Sequence, residues 1–109
     1  MMKTHNKLVR DRILEIIEQD GVAYESRILD KEEFKKELLK KVVEEAQEVL
    51  DSNGNNDELV KELADLWEVI ESIVKTFELD HEQIQEVKQH RHDLRGGFDK
   101  RIFLESTDE

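Results

Sequence analysis

The sequence contains no cysteine and no proline, only four glycines and a single tryptophan, and it has no long uninterrupted apolar run. Without cysteine there can be neither a disulfide framework nor a thiolate metal site. The lack of proline, together with a wealth of good helix formers, points to an all-α fold. No stretch is apolar enough over a sufficient length to span a bilayer as a helix. The opening MMKTHNKLVRDR also lacks the apolar segment of a signal peptide, so the expected location is the cytoplasm. Positive charge is scarce as well: 17 Lys and Arg face 28 Asp and Glu, a formal net charge of −11. That balance argues against a nucleic acid polymer as partner.

What is present fits one small domain over residues 1–109. A chain of this size buries a limited fraction of its surface, and association with a second copy would help. Charged residues make up 41% of the chain and hydrophobic ones 37%, which is polar for a monomer, yet the apolar residues are periodic, so the pattern is one of order. The charge is segregated. Residues 1–12 carry four Lys or Arg against one Asp, and residues 88–101 carry five against two, while the middle is strongly acidic. Such a distribution is compatible with a simple solvated surface. That is the plainer reading of the segregation taken alone; the other is an acidic centre between basic ends that holds a cation and a small phosphorylated molecule together.

Four helices are predicted. The first runs from about Val9 to Gln19, with Gly21 as its stop. Residues 22–29 read as a short extended piece, and residues 101–107 (RIFLEST from Arg101) as a second one that would pair with it. Asp30 caps the second helix, with Glu33 at the capping-box position, and Phe34, Leu38, Val42, Ala46 and Val49 form its apolar side. SNGNN (Ser52–Asn56) is the clearest break in the chain. The third helix then runs from near Asp57 to about Phe77, lined by Leu59, Leu63, Leu66, Ile70, Ile73, Val74 and Phe77. Asp80 caps a fourth helix, with Gln83 at its capping-box position, a thin apolar stripe of Ile84, Val87 and Leu94, and RGGF (Arg95–Phe98) at its end.

The acids of the second and third helices are placed in an unusual way. At about 100° per residue, Glu45 and Glu48 lie about −60° and −120° from Val42, and Glu62 and Asp65 lie at the same two angles from Leu59. A short loop makes the helices antiparallel, which brings like-handed flanks to one side. Folding about Gly54 also matches their heights to within about one helical turn, about 5 Å. Four converging carboxylates repel one another, and a divalent cation removes the conflict; an all-oxygen ligand set suits Mg²⁺, with Mn²⁺ as a substitute. The bland alternative is a set of ordinary exposed acids, since any single Glu-x-x-Glu carries no signal in so acidic a chain.

At these residues the sequence resembles the MazG-like all-α NTP pyrophosphatase superfamily. The superfamily's EExxE, spacer and ExxD appear here as EEAQE (Glu44–Glu48) and ELAD (Glu62–Asp65). KLVRDRI near the start and RGGF followed by RIFLE near the end resemble the small single-domain, phosphoribosyl-ATP pyrophosphohydrolase-like or house-cleaning members. The similarity covers about residues 7–104. It implies a helical bundle unit completed by dimerisation or as a tetramer. It also implies Mg²⁺-dependent hydrolysis of a nucleoside triphosphate, or a related nucleotide, to the monophosphate and pyrophosphate, with water attacking the α-phosphate. Carried over, Glu45, Glu48, Glu62 and Asp65 would be metal ligands, and Glu44, with Glu45, would be catalytic, as an outer acid or the base that orients the water. One departure stands out: the histidine-biosynthesis enzymes follow the aspartate with Tyr-His, whereas here Asp65 is followed by Leu66 and Trp67, which argues against the histidine-pathway substrate.

Basic residues at the two chain ends, Lys7, Arg10, Lys88, Arg91, Arg95 and Arg101, are the candidates for a phosphate clamp, since guanidinium and ammonium groups suit polyphosphate oxygens. Their plain alternative is solvated basic ends. Trp67 lies at the edge of the apolar arc and reads as core or interface packing rather than base stacking. Glu68 has rotated to about 180° and falls outside the acid set. The four histidines are scattered. A second functional reading is a non-catalytic helical dimer acting as a nucleotide-sensing or protein-interaction module; turnover with metal present separates it from an enzyme.

Overall fold

The computed structural model of the protein describes residues 2–108. Among the described residues there are four α-helices and no strand: α1 (Ile13–Gln19), α2 (Lys31–Asp51), α3 (Asn56–Thr76) and α4 (His81–Arg95). The fold class is all-α, as the composition and periodicity predict. Among the described residues no helix is long and apolar enough to cross a membrane. The chain divides into two compact units, Met1–Leu79 and Asp80–Glu109.

The first unit is built on the α2–α3 hairpin. Asp30 accepts a hydrogen bond from the Glu33 amide at 2.9 Å and so caps α2. The other half of the predicted capping box does not form, because Arg27 takes both Glu33 carboxylate oxygens, at 3.0 and 2.6 Å. α2 ends at the four-residue turn Ser52–Asn55, where Asn53 (φ 50°) and Gly54 (φ 81°) adopt left-handed conformations. Asparagine and glycine are the residues that tolerate this region best, which explains why the chain reverses here. Asn55 then caps α3 by accepting from the Glu58 amide at 3.2 Å.

The two long helices bury Leu38 (5% exposed) and Val69 (9% exposed). Half-buried Phe34, Val49, Leu59, Leu66 and Ile73 surround them. This packed face is rotated relative to the expected one. Leu63 and Ile70, predicted core residues, remain 46% and 43% exposed, and Val69 takes their place. The reason lies in the width of the apolar arc on α3. It carries two stripes, and α2 covers only the one that also contains Glu62. The other stripe, Val60, Leu63, Trp67 and Ile70 at i, i+3, i+7, i+10 spacing, is exposed, and Leu39, Val43 and Leu50 leave a similar exposed stripe on α2.

α1 is shorter than the apolar spacing suggests, starting at Ile13 instead of near Val9. The residues before it are non-helical, and Lys7 and Arg10 in that segment are tied to acids on α2 and α3. Gly21 (φ 71°) ends α1 as expected, with the Val22 amide reaching back to the Ile17 carbonyl at 3.2 Å. The same return is made after α3 by Leu79 to Val74, at 2.9 Å. Residues 22–29 form no strand. Their side chains are held locally instead: Tyr24 donates to Glu18 at 2.6 Å, and Arg27 binds Glu33.

In the second unit, Asp80 caps α4, but through the Glu82 amide rather than that of Gln83. The helix stops at Gly96, whose φ of 79° is costly for any residue with a Cβ. Residues 101–107 form no strand either: Arg101 sits at φ 57°, a left-handed value that interrupts an extended run at its first residue.

Candidate metal and phosphate site

Glu45 on α2 and Glu62 and Asp65 on α3 each offer a carboxylate oxygen, and these oxygens lie within 4.8 Å of one another. All three residues are half-buried. The structure therefore brings together three of the four acids expected to bind metal, one from α2 and two from α3. Glu45 and Glu62 are not on a remote flank. They lie beside the packed face of the hairpin, and the Glu45 side chain is only 13% exposed.

The fourth acid, Glu48, is exposed and stands outside this set of three. Its charge nevertheless reaches the cluster. Partial desolvation pushes the Glu62 carboxyl above its ordinary value, and repulsion from Glu48, Asp65, Glu45 and Glu58 adds to the rise. Three carboxylates at this spacing are a fit donor set for a hard, oxygen-preferring dication, which would relieve the repulsion that they impose on Glu62.

Glu44 lies next in sequence to Glu45 but belongs to a different electrostatic setting. Its carboxylate binds the Lys41 ammonium at 3.0 Å and the Lys7 ammonium at 3.3 Å. Partial burial pushes its pKa up, yet the two lysines outweigh that effect and the net shift is downward. Glu44 is thus held ionised by neighbours, whereas Glu62 is crowded by like charge.

Lys41 was not apparent as a site residue from the acid motif. It lies one turn before Glu44 and Glu45 and contacts both, at 3.0 and 3.7 Å, with a side chain 16% exposed. The signal that could have found it is its i, i+3 and i, i+4 spacing to the acids. Glu68, set aside on rotation alone, also takes part: Arg10 places Nη1 3.6 Å from Glu68 while its Nη2 binds Asp65 at 2.7 Å.

Lys7 and Arg10, read as phosphate-binding candidates, are thus both engaged by the acids. Lys88, Arg91 and Arg95 stand on α4 at i, i+3, i+7 spacing, so they share one helix face in the second unit, and Arg101 follows in the coil beyond; all four are exposed.

The sequence pattern of the phosphoribosyl-ATP pyrophosphohydrolase family matches residues 6–92. The chain belongs to that family. As a phosphoribosyl-ATP pyrophosphohydrolase family member, the protein stands among the hydrolases. The matched span takes in the whole acid cluster, the basic segment at Lys7 and Arg10, and α4 as far as His92. No curated protein and no solved structure matches the chain. The family assignment and the grouping of Glu45, Glu62 and Asp65 fall on the same stretch of the chain.

Proposed function

We propose that the protein hydrolyses a nucleoside triphosphate, or a closely related nucleotide, to the monophosphate and pyrophosphate, in a house-cleaning role on the nucleotide pool. The observation that carries this reading is the convergence of Glu45, Glu62 and Asp65 in a chain of a pyrophosphohydrolase family. These three acids, joined by Glu48 from the next turn of α2, would hold Mg²⁺, with Mn²⁺ as a substitute. The bound ion supplies neutralisation of the phosphate oxygens and activation of a water.

The chain's own residues account for the rest. Glu44, kept ionised by Lys41 and Lys7, accepts a hydrogen bond from the attacking water and orients it toward the α-phosphorus. Its lowered pKa makes it a weak base, so its contribution is to positioning more than to proton removal. Lys41 fixes the direction of both Glu44 and Glu45. Lys7 and Arg10 supply cationic groups to the phosphates. We place the working form as a homodimer, with a tetramer as its higher assembly, joined along the exposed apolar stripes of α2 and α3.

The test is a pyrophosphate-release assay across canonical and modified nucleoside triphosphates, with Mg²⁺, Mn²⁺ or EDTA, run beside Asp65→Ala. Metal-dependent release by the wild type, lost in the variant while its helical content is kept, is the expected result. Equal turnover by Asp65→Ala on every active nucleotide would overturn the site. Nucleotide binding without turnover under all conditions would favour the non-catalytic sensing module.

A further inference from the structure

The basic segment before α1 does not stand clear of the acids; it is bound to them. Arg10 spans Asp65 and Glu68 at 2.7 and 3.6 Å, and Lys7 binds Glu44 at 3.3 Å. Asp65 is also one of the three clustered acids. It therefore serves two claims, a guanidinium from the N-terminal segment and a cation in the cluster. A dication bound to Asp65 would lie within a few ångströms of the Arg10 guanidinium, and two positive groups across one carboxylate repel. Arg10 is the weaker claimant, because its side chain is 57% exposed and that of Asp65 is 43% exposed. An exposed pair of this kind shifts an equilibrium by up to about fivefold.

We infer that Arg10 is a built-in counter-ion of the acid cluster, which an arriving divalent cation displaces. The inference rests on the metal-site reading given above. Before the cation binds, the guanidinium offsets part of the repulsion among Glu45, Glu62 and Asp65. When the cation binds, its repulsion loosens the hold of Arg10 on Asp65, so the segment weakens metal affinity while the site is empty of substrate. The released guanidinium is then free to meet an anion. Binding of metal and of phosphate groups is thereby coupled: Asp65 and the phosphates compete for the Arg10 guanidinium, and metal decides the competition.

Isothermal titration with Mn²⁺ alone, on the full chain, tests this. Four proteins are compared: wild type, Arg10→Gln, Arg12→Gln and Glu62→Gln. Arg12 lies in the same segment but pairs with Glu15, so its substitution makes the same change in net charge away from the cluster. Arg10→Gln is expected to bind Mn²⁺ more tightly, by up to about fivefold, with Arg12→Gln unchanged. In parallel, the Arg10 side-chain NMR signal of the wild type is expected to shift on addition of Mg²⁺ by itself. Unchanged or weaker binding by Arg10→Gln, while Glu62→Gln abolishes binding, would overturn the counter-ion role and leave the metal site standing. Equal tightening in both arginine variants would reduce the effect to net charge and also overturn it. If no binding depends on Glu62, the metal-site reading and this inference fall together.

Discussion

In the homodimer proposed above, replacing Trp67 by alanine should weaken the association of the two copies. Trp67 is 65% exposed and stands in the middle of the stripe formed by Val60, Leu63 and Ile70 on α3. A tryptophan presents up to about 250 Å² of surface, so about 160 Å² remains for a partner to cover. At about 25 cal/mol per Å² the upper limit is about 4 kcal/mol per copy. If a partner covers half of that area, the loss is about 2 kcal/mol per copy. A two-fold interface uses the residue twice, so the dimer would lose about 4 kcal/mol, or about a thousandfold in Kd. Sedimentation equilibrium over a wide concentration range measures this directly. Because Trp67 is the only tryptophan, its emission should also move to shorter wavelength as wild-type concentration rises. A wild type that stays monomeric at high concentration would refute the assembly. A Trp67→Ala variant with an unchanged dimer Kd would refute the assignment of this stripe as its interface.

Other outcomes follow from the same structure. Glu62 holds its proton more tightly folded than unfolded, chiefly through desolvation and then through its acidic neighbours. That advantage to the folded state is complete below the ordinary glutamate range, about 4.3, and is lost as pH rises through the raised value. In EDTA at neutral pH, Glu62→Gln should therefore melt above the wild type, and the gap should close as pH falls toward that range. Added Mg²⁺ should reverse the order, and a variant that melts lower in EDTA at neutral pH would sink the argument. Leu38→Ala removes the most buried side chain of the hairpin. It should cost about 3 kcal/mol and lower Tm by about 13 °C in a chain of this length, read by thermal circular dichroism; a shift within a few degrees would mean that the α2–α3 contact is not the core.

The hairpin was legible in the sequence because helical phase is a local property. The caps Asp30 and Asp80, the break at Asn53 and Gly54, and the convergence of Glu45, Glu62 and Asp65 all follow from spacing within or between two adjacent helices. What escaped depends on contacts that spacing does not encode. The late start of α1 goes with the anchoring of Arg10 to Asp65, a partner far along the chain. Glu33 left its capping box because Arg27 reached it first. Val69 replaced Leu63 and Ile70 in the core because an apolar arc wide enough for two faces does not say which one a neighbour covers. The pairing of Lys7 and Arg10 with acids was hidden for a different reason: a basic residue suits a carboxylate and a phosphate equally well, and its sequence does not choose between them.

The turn Ser52–Asn55 has a consequence for how the site comes into being. The three clustered acids are gathered across that single tight reversal rather than from opposite ends of the polypeptide. Closing a loop this short takes a small fraction of a microsecond, and local contacts of this kind form early in folding. The carboxylates are therefore expected to meet when the hairpin zips, with no segment from farther along the chain needed to gather them. On that expectation their mutual repulsion is met at an early step of folding, at the reversal set by the left-handed pair Asn53–Gly54.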